Sequence, residues 1–325
     1  MSSNTSGTAD FIIQSQYISQ YLGLTLGFAL FLCGIIGNFL NIIVFLSVGN
    51  YKQNPCSLYM FIGSILNLLD VIIGIGPRIL ILGFQIDLQQ MNRIWCKFRI
   101  SLLNFLGLSL STIICLQSVD TFLCTSRSVN LRQRSNIKRA RLLLLIIGLF
   151  WSMHEITTFI LQDIVIVNGI PSCVMTSSIY ASYRSYFIVP VTTITIPISI
   201  ISIFGFYSYR HFINQLGNDS HSFSAVTKQF TKMALCQIVN VLLFQGPFGC
   251  ASIYFLATTN VVKDSYRQAQ ERLVTAFFSV YVYGLYATPF YCYCIASKRF
   301  RNQLCQVFHR FTCQRASNRV QPETQ

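Results

Sequence analysis

Seven long stretches of this chain are apolar around their whole circumference, and that feature leaves few folds open. They cover residues 22–48, 57–84, 97–124, 142–167, 184–209, 229–256 and 274–296. Each reaches the roughly 20 residues that a helix needs to cross the hydrocarbon core of a bilayer. A helix of a soluble bundle carries an apolar stripe of period 3.6 and a polar face; these runs lack the polar face. Charge agrees, because only 10% of the 325 residues are charged, against roughly 25% in soluble domains. The sequence therefore predicts an all-α membrane protein, a seven-transmembrane helix bundle. Pro77, Pro190, Pro197, Pro247 and Pro289 lie inside the runs, which membrane helices tolerate because neighbouring groups satisfy the freed carbonyls.

A formal net charge of +14 raises the question of nucleic acid, but the cations fall in the gaps between apolar runs rather than along one face. No zinc-finger spacing, phosphate loop or dinucleotide fingerprint is present, so no nucleic-acid partner, metal or cofactor is expected. Most of the 12 cysteines lie within apolar runs and read as small core residues. Lys and Arg also orient the chain. Lys52, Arg127, Arg132, Arg134, Lys138, Arg139, Arg141, Arg210, Lys228, Lys232, Lys298, Arg299, Arg301, Arg310, Arg315 and Arg319 share one side; Arg93, Lys97, Arg184, Lys263, Arg267 and Arg272 share the other. The expectation is a multi-pass plasma-membrane protein with its N-terminus extracellular and its C-terminus cytoplasmic. Residues Met1 to Tyr21 are polar without Lys or Arg, so the first run is expected to act as an uncleaved signal anchor. Asn4-Thr5-Ser6 is a glycosylation sequon on that outer tail; Asn218-Asp219-Ser220 is another, in an inner loop where it should stay unmodified.

Several residues stand at marked depths along the runs. Gly37-Asn38 is in the first, Leu66-Asn67-Leu68-Leu69-Asp70 in the second, Trp151 in the fourth, and Pro197 and Pro247 in the fifth and sixth. Cys96 opens the third run and Asp120 lies 24 residues on, about 36 Å of helix, so the two sit at opposite membrane surfaces. Ser297-Lys298-Arg299-Phe300-Arg301 follows the seventh. In this order and spacing, over roughly residues 22–305, the chain resembles the rhodopsin-like (class A) G-protein-coupled receptors.

The resemblance implies an extracellular tail over 1–21, a receptor domain over 22–296, and an amphipathic eighth helix with a cytoplasmic tail over 297–325. In that helix Phe300 packs under the bundle while Lys and Arg meet anionic lipid. It implies a Cys96–Cys173 bridge over the ligand mouth, and an oxidising exterior would let these two pair. It makes Asp70 an intramembrane polar centre, a costly placement that marks function, with Asn38 as hydrogen-bond neighbour. Asp120, Thr121, Phe122, Arg127 and Tyr293 would face a heterotrimeric G protein. Cys305 and Cys313 are palmitoylation candidates, with unmodified thiols the alternative.

The chain departs from the family where its members switch. The inner motif reads Asp120-Thr121-Phe122, with threonine for arginine; the sixth-run motif reads Phe244-Gln245-Gly246-Pro247, with glutamine for tryptophan. In Thr288-Pro289-Phe290-Tyr291-Cys292-Tyr293 the proline aligns Cys292 with the family tyrosine, whereas Phe300 aligns Tyr293 with it, and the second alignment is preferred. Without the family's seventh-run asparagine, sodium at Asp70 is in doubt. Asp120 is expected at a wet rim, with water, a proton or a loop arginine such as Arg127 as partner.

Leu103 stands where amine receptors carry aspartate, and no Lys lies between Arg272 and Lys298 for a retinal Schiff base. Arg78, Arg99, Asn104, Gln245, Phe248 and Tyr283 are the pocket candidates. Arg78 and Arg99 either meet a carboxylate or peptide carbonyls or snorkel to head groups. The end of the seventh run is similar to invertebrate neuropeptide receptors, those for RFamide-type peptides included, and favours a peptide ligand. The alternative is a decoy or weakly coupling receptor-like protein. A transporter or channel fits less well, for want of repeated spans and intramembrane charges. No cluster suggests an enzyme.

Overall fold

The computed structural model describes residues 3–167, 169–218, 225–259 and 261–317. Six helices are long and apolar enough to cross a membrane: Asp10–Val48, Pro55–Phe84, Arg93–Thr125, Ile137–Leu161, Ser178–Asn214 and Ala225–Ala257. A seventh span results if Ser265–Ala287 and Pro289–Ala296, bent by 47° at their junction, are taken together. A last helix, Lys298–Ser317, follows. These are referred to below as the first to eighth helices.

The fifth and seventh spans begin earlier than expected, at Ser178 and Ser265, and two further boundaries differ in kind. The first helix begins at Ser3, inside the segment read as a polar tail. Residues 3–21 contain no proline, and Phe11 packs on Tyr266 at the start of the seventh helix, with ring centroids 4.5 Å apart. The fourth helix stops at Leu161, so the 142–167 span is corrected at its end. Gln162–Val167 is instead a strand paired antiparallel with Ile170–Met175. Ile164, Val165, Ile166 and Val167 are all β-branched, which favours a strand. Val167 pairs with Ile170, and Gly169, at φ 81°, takes the left-handed conformation that so short a hairpin connection needs.

Where the seventh helix meets the eighth, Val44, Phe45, Met60, Met233, Phe290, Tyr293 and Phe300 form a buried cluster. Phe300 is 1% exposed and lies 5.9 Å from the Tyr293 ring and 6.2 Å from Phe45. Its neighbours Lys298, Arg299 and Arg301 are exposed. The eighth helix is thus amphipathic, its apolar side pinned beneath the bundle.

Candidate functional site

At the end of the bundle where the third helix begins, the hairpin is fastened in three ways. Cys96 and Cys173 are bridged, with Cα atoms 5.9 Å apart. Arg93 grips Asp163 with both arms of its guanidinium, Nε lying 2.6 Å from Oδ1. Lys97 adds a second cation at 3.7 Å. The Arg93 hydrogen bond holds the Asp163 carboxyl well below its ordinary range, at about 2. Nearby, Glu155 is 4% exposed and pairs with Arg184 at 3.3 Å. Neither acid stood out in sequence, although Glu155 was legible as a carboxylate inside an apolar run.

Deeper in the bundle, four of the five prolines organise polar side chains. A proline cannot donate to the carbonyl four residues back, and such a carbonyl needs another donor when buried. Pro77 frees Ile73, and Arg99 Nε donates to the Ile73 carbonyl at 3.0 Å. Pro197 frees Thr193, and Gln245 Nε2 donates to it. Pro247 frees Leu243, which accepts from the Tyr281 hydroxyl at 3.1 Å. Pro289 frees Leu285, which accepts from Asn240 Nδ2 at 3.3 Å. In every case the donor comes from a different helix. Pro190 lies within a π-helical stretch, Arg184–Thr195, whose i→i+5 register shifts the acceptors by one residue.

This arrangement changes the reading of Arg99. Two of its guanidinium nitrogens are taken up by backbone carbonyls of the second helix. Arg99 is 4% exposed and spans the π-turn Val71–Ile75 ahead of Pro77, its Nη2 reaching the Gly74 carbonyl at 3.4 Å. Arg78 and Tyr283 lie within electrostatic reach of it, and Tyr283 packs against Ile75 and Ile79. Among the described residues, Arg78 Nε and Asn104 Nδ2 are buried without a hydrogen-bond partner. Gln245 belongs to the fifth–sixth helix contact, and half-buried Phe248 follows it by one turn. The structure therefore groups Arg78, Arg99 and Tyr283, with Gln245 and Phe248 on a different helix pair.

The pairing expected at mid-bundle is also corrected. Asp70 is 3% exposed, but Asn38 does not bond it. Asn38 Nδ2 donates to the Gly34 carbonyl at 2.8 Å and the Tyr286 carbonyl at 2.9 Å, the latter just ahead of the seventh-helix bend. Motif spacing gave both residues a common depth, while the bend drew the amide away.

At the opposite end, charge gives way to neutral hydrogen bonds. Gln117 Nε2 donates to Gln237 Oε1 at 3.0 Å, and the Tyr293 hydroxyl donates to the same oxygen at 2.7 Å. One amide thereby joins the third, sixth and seventh helices. Thr121 Oγ1 donates to the Gln117 carbonyl at 2.7 Å and is 1% exposed. Asp120 is not at a wet rim: it is 6% exposed and its Oδ1 accepts from Ser135 at 2.7 Å. Arg127 is exposed and forms no ion pair with it among the described residues. Phe122 stacks on His211, with centroids 5.5 Å apart, which ties the third helix to the fifth. Gln237 and Ser135 lie outside every motif that sequence reading used.

Of the modification candidates, Cys305 is exposed. The side chains of Asn4 and Cys313, and residues Asp219 and Ser220 of the second sequon, lie outside what the structure describes. No protein-family model matches the chain, and no curated protein matches it.

Proposed function

We propose that this protein is a rhodopsin-like G-protein-coupled receptor that passes the binding of an extracellular ligand, a peptide, to a heterotrimeric G protein. The observation that carries the reading is the Cys96–Cys173 bridge. Of 12 cysteines, the resemblance singled out these two, and among the described residues they are the bonded pair. In this reading the hairpin end faces outward and the basic end faces the cytoplasm, as the Lys/Arg asymmetry requires. A ligand acts by binding one arrangement of the proline-bent helices more tightly than another. The Gln117–Gln237–Tyr293 junction is placed to carry that difference inward, since it joins three helices through one amide.

A second reading, a weakly coupling or decoy receptor, has its own support. Thr121 is committed to the Gln117 carbonyl and Asp120 to Ser135, so neither is poised to receive a partner. Cells carrying G-protein dissociation sensors, challenged with a panel of amidated and free-acid peptides, separate the two. The receptor reading expects a saturable response from the wild type, strengthened in Thr121→Arg. Surface-expressed protein that binds a peptide without any sensor response, in both forms, would establish the decoy.

A further inference from the structure

Away from the proline-bent core, a cavity of about 480 Å³ opens between the N-terminal part of the first helix, the end of the second and the start of the seventh. Its apolar wall includes Ile12 and Leu82, and its polar wall includes Gln16, Gln20, Gln85 and Arg272. That size falls within the range of small-ligand pockets. We propose that this cavity binds a ligand carrying a free carboxylate beside an amide N–H, the chemistry shared by a peptide C-terminus and an N-acyl amino acid. The inference deepens the receptor reading and rests on it for the outward direction of this end.

The argument begins with charge. At the hairpin end, Arg93 and Lys97 face Asp163, Arg184 faces Glu155, and Lys263 and Arg267 both face Glu271. Among the described residues Arg272 has no carboxylate within ion-pair distance, and no acidic residue lines the cavity. Glu271, its chain neighbour, is already shared by two other cations. An exposed guanidinium beside an apolar wall suits an anion with an apolar body, and its planar fork matches a carboxylate.

The amides supply the second half of the recognition. Gln20 Nε2 donates to the Gly83 carbonyl at 2.8 Å, and Gln85 Nε2 donates to the Leu82 carbonyl at 3.2 Å. Each Nε2 spends one of its two N–H groups in this way, which turns the amide toward its backbone carbonyl, and both side chains keep an acceptor oxygen to offer. A ligand N–H next to the carboxylate satisfies an acceptor, whereas a simple fatty acid has none to give. A lipid phosphate answers Arg272 alone.

The test is direct binding to the purified full chain in nanodiscs of neutral phosphatidylcholine. The probes are N-dodecanoylleucine, its carboxamide N-dodecanoylleucinamide, dodecanoate, and a tetraleucine peptide with a free C-terminus. Binding is expected for at least one of the two acylated α-amino acids, N-dodecanoylleucine or the peptide acid, and which one binds identifies the source. The carboxamide and dodecanoate should each bind about tenfold more weakly, in line with loss of one charge-assisted contact. Arg272→Gln should weaken the bound acid by a similar factor with the melting temperature unchanged, and Arg272→Lys should restore part of it. Equal affinity for acid and carboxamide, or an Arg272→Gln variant that binds as the wild type does, overturns the proposal. So does complete displacement by phosphatidylglycerol in the disc, an anionic lipid without a carboxylate, which would make this a head-group contact. Because no G protein enters the assay, failure here leaves the receptor reading to its own sensor experiment.

Discussion

The two ends of the bundle are held by opposite means. At the hairpin end the fastenings are covalent and ionic: the Cys96–Cys173 bridge, the Arg93–Asp163 fork and the Glu271 pairs. At the Asp120 end they are buried hydrogen bonds: the neutral Gln117–Gln237–Tyr293 junction, Thr121 on a backbone carbonyl, and the Asp120 carboxyl on a serine. Ion pairs that reach solvent, such as that of exposed Arg93 with Asp163, are screened and contribute little individually, so the hairpin itself is held mainly by its disulfide. Buried amides weaken little with salt, but each depends on a partner whose loss leaves a desolvated group behind. One end should therefore respond to covalent change and solution conditions, and the other to single-atom changes in its interior.

The largest effect is expected at the bridge. A disulfide closing a long loop typically contributes about 2–4 kcal/mol. Cys96→Ala and Cys173→Ala should each lower the melting temperature in detergent and the amount at the cell surface, and the double variant should be no worse than either. Additive losses would show that the two sulfurs act separately.

Next comes the neutral junction. Gln237→Leu keeps the size of the side chain but strands the Gln117 amide and the Tyr293 hydroxyl, a cost of about 1–3 kcal/mol for a buried polar group left unpaired. Denaturation followed by thiol labelling of buried Cys56 would read it. A variant as stable as the wild type would mean that water replaces the amide and that the contrast between the ends is overdrawn.

The smallest effect belongs to Asp163. Its carboxyl is held at about 2, against an ordinary value of 3.8. A depressed folded-state value stabilises above the unfolded value and loses that contribution as pH falls through the folded one. The protection of the hairpin amides, exchange measured against the intrinsic rate at each pH, should therefore fall slightly between pH 4 and pH 2. Arg93→Gln should flatten that dependence, and 1 M salt should reduce it. An unchanged profile in Arg93→Gln would assign the depression to another neighbour.

Much of this architecture was legible in the chain, for a physical reason. A bilayer demands about 20 apolar residues per crossing, so depth is written in composition, and Asp70, Cys96 and Phe300 could be placed by counting. Rotation is not written there. Asn38 and Asp70 share a depth, yet the seventh-helix bend turned the amide toward Tyr286. The end of the fourth helix is ambiguous in the sequence, because Ile164 to Val167 is apolar in either conformation and only its β-branching marks the strand. The freed carbonyls could be listed from the prolines alone. Their donors could not, because Arg99, Gln245, Tyr281 and Asn240 are chosen by which helices pack together.

Those four donors bear on the order in which the helices can come together. A proline-containing helix alone in lipid carries a carbonyl that its own backbone cannot satisfy, a state that costs energy in hydrocarbon. Ile73 of the second helix finds its donor on the third, Thr193 of the fifth on the sixth, and Leu243 of the sixth on the seventh. Leu285 of the seventh finds Asn240 on the helix before it. Every donor thus resides on a helix adjacent in the chain, and three of the four on the next to be synthesised. Pro77, Pro197 and Pro247 leave their helices incomplete only until the successor arrives, and Leu285 finds its donor already in place, so during synthesis these prolines bias the third, sixth and seventh helices to dock on their immediate predecessors.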